Sequence, residues 1–272
     1  MDPAISVICA SFNKDEHLIN QILSLANQTF PHDQFEYLLA DDGSNDRTFA
    51  VVQEAKRTFD FPIRAFHFNR PPDSVCTLPY NFLIKQAKAP IILHTQADIM
   101  FARDAIEWHL KYQEQSENIF VFGRCYQIHS EVVQALLNTV PWRENFQSLE
   151  ELFITEYHHS QYWNVPYNAS IQKKWLEQIR GYDESYNARW AADSDLVIRL
   201  EHIGVQMVNA PEIFSAHQYH IHYDHVCEST CKCPLRIIDM TEVGQEMKYN
   251  GYEENIVRNK DCWGEFPNIL EI

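Results

Sequence analysis

Three stretches set short carboxylates beside apolar runs: "LLADDGSNDRT" (38 to 48), "ILHTQADIM" (92 to 100) and "RWAADSDLVIRL" (189 to 200). Aspartate, with an ordinary pKa of about 3.9, is ionised at neutral pH. Such groups can accept N–H hydrogen bonds, hold a divalent cation or take up a proton. The competing explanation for residues 38 to 48 is turn chemistry, because Asp, Gly, Ser and Asn tolerate tight turns and bond back to their own backbone. Position along the fold has to separate the two.

The first hundred residues alternate short apolar runs with helical periodicity, the pattern of an α/β architecture with a mainly parallel, Rossmann-like central sheet flanked by helices. "ISVICASF" (5 to 12), "FEYLLA" (35 to 40), "IRAFHF" (63 to 68) and "PIILHT" (90 to 95) read as strands. Between them, "DEHLINQILSLANQ" places Leu18, Ile22 and Leu25 on one helical face, and "DRTFAVVQEAKRTF" and "PYNFLIKQAK" read as further helices. In open α/β sheets ligands bind beyond the carboxyl ends of the strands, where the strand order reverses. Ser11, Phe12 and Asn13 follow strand one, Asp41 and Asp42 follow strand two, and Gln96 and Asp98 follow strand four. Three strand ends delivering polar groups to one sheet edge are hard to attribute to turns alone.

Composition narrows the chemistry. A formal charge of −16 argues against nucleic acid as a partner, since phosphate backbones are bound by clustered Lys and Arg. The chain has only seven glycines and carries neither G-x-G-x-x-G nor G-x-x-x-x-G-K-[ST], which disfavours dinucleotide dehydrogenases and P-loop enzymes. Sugar-nucleotide pyrophosphorylases, with their glycine-rich basic loop, fit no better. No run approaches the roughly 18 apolar residues of a transmembrane span, and no basic signal segment opens the chain. Seven cysteines, an odd and unevenly spread number, fit free thiols in a reducing, cytoplasmic setting.

The order "ISVICASFNKDEHLINQILSLANQTF", "YLLADDGSNDRT", "IILHTQADIMF" and "IRGYDESYNARWAADSDLVIRLEHIG" resembles the inverting family-2 glycosyltransferases of GT-A fold, over most of residues 4 to 222. The resemblance implies a catalytic domain over 1–222, with a nucleotide-binding half (1–100) and an acceptor and catalytic half (101–222), followed by an extension (223–272) that packs on the domain or makes an oligomer contact. The expected donor is a nucleotide-diphosphate sugar, UDP favoured, and the expected acceptor a carbohydrate or glycoconjugate hydroxyl. A catalytically weak sugar-nucleotide binder is the alternative. A homodimer would also suit the extension.

Roles follow residue by residue from the resemblance. Ala10, Phe12, Asn13, Asp41 and Asp42 fall where relatives hold the nucleotide, Phe12 stacking on the base and Asp42 accepting its imino N–H; helix capping is the alternative for Asp42. Asp98 ends the stretch that carries Asp-x-Asp in relatives, with Gln96 in place of the first acid. One carboxylate can still serve Mn²⁺ or Mg²⁺, whose shells are completed by water and phosphate oxygens. His217 aligns with a histidine that relatives place after the last strand, with His220 and His222 as weaker candidates, and imidazole favours Mn²⁺. Asp193 holds the catalytic base position, Ala192 replacing the usual Glu before it; here too a helix cap is the alternative. Asp195, Asp183 in "GYDE" and Asn168 are weaker donor or acceptor contacts, with helix anchoring the alternative for Asp195 and a structural turn role equally open for Asn168, and Arg199 is expected in an internal salt bridge. In the tail, Cys227, Cys231 and Cys233 stand near His225 at a spacing unlike common zinc fingers, so free thiols are expected. Trp263 and Phe266 are expected to pack the tail back on the domain.

Overall fold

The computed structural model describes residues 2–68, 77–128, 166–185, 189–219, 256–259, 263–266 and 269–272. Its centre is a sheet built from β1 (Ile5–Ser11), β2 (Phe35–Asp41), β3 (Ile63–Phe68) and β4 (Ile91–Gln96), with β1 parallel to both β2 and β4 and β2 parallel to β3. Covered on both faces, these strands are buried at nearly every position, as expected of parallel strands.

Side-chain alternation sorts the core into two layers. Val7, Cys9 and Leu39 face α1 (Asp15–Ala26), α2 (Thr48–Thr58) and α4 (Ala105–Gln113) through Leu18, Ile22, Leu25, Val52 and Ile106. Ile8, Leu38 and Ile92 face α3 (Thr77–Gln86), α5 (Lys173–Ile179) and α6 (Arg189–His202) through Leu83, Ile84, Ile179, Leu196 and Leu200. Each fully buried Leu or Ile contributes about 1.5–3 kcal/mol, and the period-2 alternation of the strands directs that energy to opposite faces.

Beyond β4 the sheet becomes mixed. β7 (Asn168–Gln172) is antiparallel to β4 and to β6 (Ile119–Gln127), β8 (Gln206–His217) runs parallel to β6, and β5 (Ile99–Phe101) closes that side antiparallel to β8. The full order is β5-β8-β6-β7-β4-β1-β2-β3-β9. β9 (Ile269–Glu271) pairs antiparallel with β3, covering the sheet's other edge, and Phe266 packs on Phe68 with ring centroids 5.6 Å apart. Among the described residues, no helix is long and apolar enough to cross a membrane.

Sequence periodicity places the first four strands and three helices to within two residues of their observed ends. The 222/223 boundary, His220, His222 and the Cys227, Cys231 and Cys233 cluster lie outside the described residues.

Candidate functional site

The carboxyl ends of β1 and β2 are stitched into one edge. Asp42 N–H donates to the Ser11 carbonyl at 2.8 Å, continuing the strand pairing one residue past β2. Asn13 turns the chain out of β1 in the left-handed region (φ 48°), a conformation Asn tolerates better than most residues. Its side chain accepts from Asn45 N–H at 2.9 Å, and its own N–H donates to Ser44 Oγ at 2.9 Å. Asp41 Oδ1 accepts from Ser44 N–H at 3.0 Å while Oδ2 meets His67 Nδ1 at 2.9 Å, so Asp41 shapes the loop. Helix α2 is met by Asp46, whose Oδ1 accepts from Thr48 N–H at 2.9 Å. That contact removes the need for Asp42 as a cap. Asp42 is enclosed in this edge, Phe12 stands beside it 36% exposed, and Ala10 lies beneath, paired with Ala40 and Gln96.

A second cluster forms where β4 runs through a tight turn into β5. The pairing of Ile99 with His217 sets Asp98 against the end of β8, and Gln218 N–H donates to the Asp98 carbonyl at 2.8 Å. His217 Nε2 is 3.7 Å from Asp98 Oδ2, and Lys14 Nζ, from the start of α1, is 3.2 Å from the same oxygen. Helix α1 braces the turn: Gln21 Nε2 donates to the carbonyls of Gln96 and, at 3.1 Å, Ile99, and Tyr37 Oη–H donates to Gln21 Oε1 at 2.6 Å. Asn20 holds the β8 end by donating to Gln218 Oε1 at 2.6 Å. Lys14 went unnoticed in the sequence, although it follows Asn13 at a strand end.

A carboxylate oxygen and an imidazole nitrogen this close suit a divalent cation that completes its shell with water and phosphate oxygens. Among the described residues, no group of three or more His, Cys, Asp or Glu is arranged to hold a metal. Among the described residues, Asp98 and His217 are the two possible donors brought together here, with Gln96 at the end of β4 beside them. Nearby Cys125 is no soft ligand, because burial pushes its thiol up to about 12.

The third cluster surrounds Asp193. Helix α6 begins at Arg189, which sets Asp193 inside the helix and excludes the capping role. Burial pushes the Asp193 carboxyl up to about 7, opposed by a hydrogen bond with Tyr182. Tyr182 Oη lies 2.9 Å from His94 Nε2 of β4. The Tyr182 backbone is fixed by Asn81, which accepts from Tyr182 N–H at 2.7 Å and donates to its carbonyl at 2.8 Å. Gly181 makes this possible: it sits at φ 65°, and a Cβ there would come within 2.0 Å of Asn81 Oδ1.

Other candidates are committed to the interior. Asp195 is fully buried and paired with Arg199, whose Nε lies 2.6 Å away and whose Nη2 donates to the Gly181 carbonyl at 2.8 Å. This is the expected internal salt bridge, and it locks α6 to the turn bearing Tyr182. Asn168, expected as a sugar contact, is buried against His109 Nε2 at 2.8 Å, and burial holds that imidazole down at about 4. Asp183 is enclosed as well, accepting from Ser185 N–H at 2.9 Å and lying 3.4 Å from Arg258 Nε. All three side chains are engaged within the fold, Asp195 by Arg199 of its own helix, Asn168 of β7 by His109 of α4, and Asp183 by Ser185 and Arg258.

Residues 6–180 match the profile of glycosyl transferase family 2. An uncharacterized glycosyltransferase of Bacillus subtilis (strain 168), YfnE, is 25% identical over 258 residues, covering 79% of this chain and 64% of the relative. Staphylococcus aureus TarS residues 1–349 in complex with UDP-GlcNAc superposes with a TM-score of 0.61 at 17% identity, covering 82% of this chain and 60% of that one. The mannosyltransferase PcManGT of Pyrobaculum calidifontis, in complex with GDP-Man and Mn²⁺, gives 0.60 at 16% identity over 83% and 60%. This chain thus spans less than two thirds of the length of these relatives.

Proposed function

The chain belongs to glycosyl transferase family 2, an enzyme family of GT-A fold that uses nucleotide-sugar donors, and from that premise we propose that it moves a sugar from a UDP-sugar to a carbohydrate or glycoconjugate hydroxyl with inversion. The observation that supports the proposal is that the ends of β1, β2 and β4 bring Phe12, Asp42 and Asp98 to one sheet edge, while Asp193 of α6 is tied through Tyr182 to His94 of β4. Residues 1–100 supply the nucleotide half and residues 101–222 the catalytic half.

In this reading Phe12 offers its exposed ring to the base and Asp42 accepts the base's imino N–H, an edge that uracil presents. Asp98 and His217 would hold Mn²⁺ or Mg²⁺, which would supply positive charge to offset that of the departing diphosphate. Lys14 adds a fixed positive charge at the same place. Asp193 takes the acceptor hydroxyl's proton as that oxygen attacks the anomeric carbon from the face opposite the nucleotide. Preorganised charges at the leaving side and one carboxylate at the attacking side give a single displacement.

A thermal-shift screen of UDP, GDP, dTDP and CMP sugars with Mn²⁺ tests the donor assignment, with UDP sugars expected to stabilise most. Product analysis then tests the mechanism: a retained anomeric configuration sinks it. Tight donor binding with no turnover on any acceptor, or by hydrolysis, favours a sugar-nucleotide binder instead.

A further inference from the structure

Two late segments, residues 256–259 and 263–266, grip the turn that joins α5 to α6. Asn259 Nδ2 donates to the Arg180 carbonyl at 2.9 Å and to the Tyr182 carbonyl at 2.5 Å, while its Oδ1 accepts from Glu184 N–H at 2.9 Å. One amide thus ties three residues of the turn. Beside it, Arg258 N–H donates to the Ile179 carbonyl at 3.4 Å, and Arg258 Nε lies 3.4 Å from Asp183 Oδ2. From the second segment, Gly264 N–H donates to Glu184 Oε1 at 2.6 Å, and the same oxygen accepts from Asn81 Nδ2 at 2.8 Å. Gly264 sits at φ 63°, and a Cβ there would fall 2.8 Å from the Asn81 carbonyl, so only glycine lets this segment approach α3 so closely. Lys85 of α3 adds a hydrogen bond to the Trp263 carbonyl at 3.0 Å.

The turn needs such holding. Arg180 and Gly181 are consecutive left-handed residues, at φ 58° and 65°. Helices commonly end on a left-handed glycine, but a residue with a Cβ is strained there and persists only where its surroundings over-determine it. Asn259 supplies three of the determining contacts, and its own φ of 55° is one that asparagine tolerates. The turn reaches α6 through Arg199. This fully buried guanidinium donates to the carbonyls of Gly181 at 2.8 Å, Ile179 at 3.2 Å and Ile256 at 3.5 Å, and its Nε donates to Asp195 at 2.6 Å. Late segment, turn and helix therefore meet on one side chain, and Asp193 lies two residues from Asp195 on that helix.

We propose that Asn259 is a positioning residue, and that residues 256–259 and 263–266 form a clasp that sets the place of α6 and, with it, of Asp193. The catalytic half of this proposal rests on Asp193 being the base; the mechanical half does not. A base has to meet the acceptor hydroxyl closely, and a misplacement of about 1 Å can cost roughly 10²-fold in rate. The clasp is separable from the attachment of the neighbouring residues. Phe266 packs on Phe68 and β9 pairs with β3, and neither contact involves the turn or Asn259.

Hydrogen exchange read by mass spectrometry on the full chain tests the mechanical half. Asn259→Gly removes the amide and keeps the left-handed backbone. Amides of residues 180–185 and of α6 should then exchange roughly tenfold faster, the scale of one or two lost hydrogen bonds, while β1 and β2 keep wild-type rates. Gly264→Ala, which strains the second segment, should do the same, whereas Val257→Ser, at an exposed side chain, should not. Faster exchange confined to residues 256–266, with α6 at the wild-type rate, overturns the inference. Should one of the two clasp variants fail to fold, the other decides. The catalytic half is read with UDP-GlcNAc as probe donor and calorimetry of UDP. In Asn259→Gly, turnover per folded molecule should fall by roughly ten- to a hundredfold while UDP affinity stays within about twofold, a split that lost stability alone does not produce. A loosened α6 with undiminished turnover leaves the clasp standing and removes Asp193 as the base.

Discussion

Asp98 and Asp193 are both tied to β4, one just past its carboxyl end and the other through Tyr182 to His94 within the strand, and their surroundings differ in kind. Asp98, two residues past the strand, has an ammonium at 3.2 Å and an imidazole nitrogen at 3.7 Å. Asp193, connected to the same strand through Tyr182 and His94, has a phenol for a partner, and burial pushes it up to about 7. A carboxylate beside an ammonium and an imidazole is placed to hold positive charge, whereas one buried beside a neutral phenol is placed to exchange a proton near neutrality. Residue type alone does not assign these roles; the partners do.

The sharpest way to break this contrast is to remove charge at Asp193 while keeping shape. Asp193→Asn should reduce turnover by roughly 10²-fold or more, with donor affinity changed little, because a base acts mainly in the transition state. Steady-state and binding measurements on the same preparation check the split. Equal losses in both would make Asp193 a donor contact and erase the distinction from Asp98.

The converse change is Asp98→Ala. Mn²⁺-dependent binding of UDP should weaken by roughly tenfold or more, as expected when a metal site loses a key group, while the melting temperature measured without metal stays near that of the wild type. Calorimetry of UDP with and without Mn²⁺ reads this directly. Wild-type metal dependence in the variant would remove Asp98 from the site.

How much of this contrast was legible in the sequence depends on whether the signal was local. Strand ends are local: alternation and apolar runs placed β1 to β4, and thereby Phe12, Asp42 and Asp98, without any contact being known. The partner of Asp98 at 3.7 Å, His217, comes from a strand more than a hundred residues away, and only the β5–β8 register brings it there. The Tyr182–His94 pair was not legible, since it joins a turn to the interior of β4 across the core. Asn168 illustrates the opposite error. An asparagine in "PYNASI" reads as a turn residue, but β7 draws it into the sheet and His109 claims its carbonyl.

Proton uptake at Asp193 also sets a pH signature of smaller size. The folded protein holds this proton up to about pH 7, while the unfolded chain releases it near the ordinary value of about 3.9. The folded state therefore binds more protons across that window. Stability contributed at this site is fully present below about pH 4 and is lost as pH rises through about 7. Turnover runs the other way, rising through about pH 7 as the base ionises. Melting curves across this range should fall more steeply for wild type than for Asp193→Asn, and equal slopes would show that the carboxyl is not perturbed.

Lys14→Met gives the smallest effect and the finest probe of the Asp98 side. Lys14 is partly exposed, its side chain at 26%, and such pairs are worth about 0.2–1 kcal/mol. Any divalent ion binding at Asp98 must displace or share that ammonium, so the variant should bind Mn²⁺ tighter by roughly 1.5- to 5-fold, the same energy expressed as affinity. Without metal the sign reverses: in the proposed site Lys14 then faces the diphosphate beside Asp98, and its loss should weaken UDP binding in chelator. Salt separates the two, since a partly exposed ammonium is screened more than a chelated ion. If Lys14→Met left both affinities unchanged, the ammonium would be a bystander on Asp98, and Asp98 and Asp193 would differ only in their buried partners.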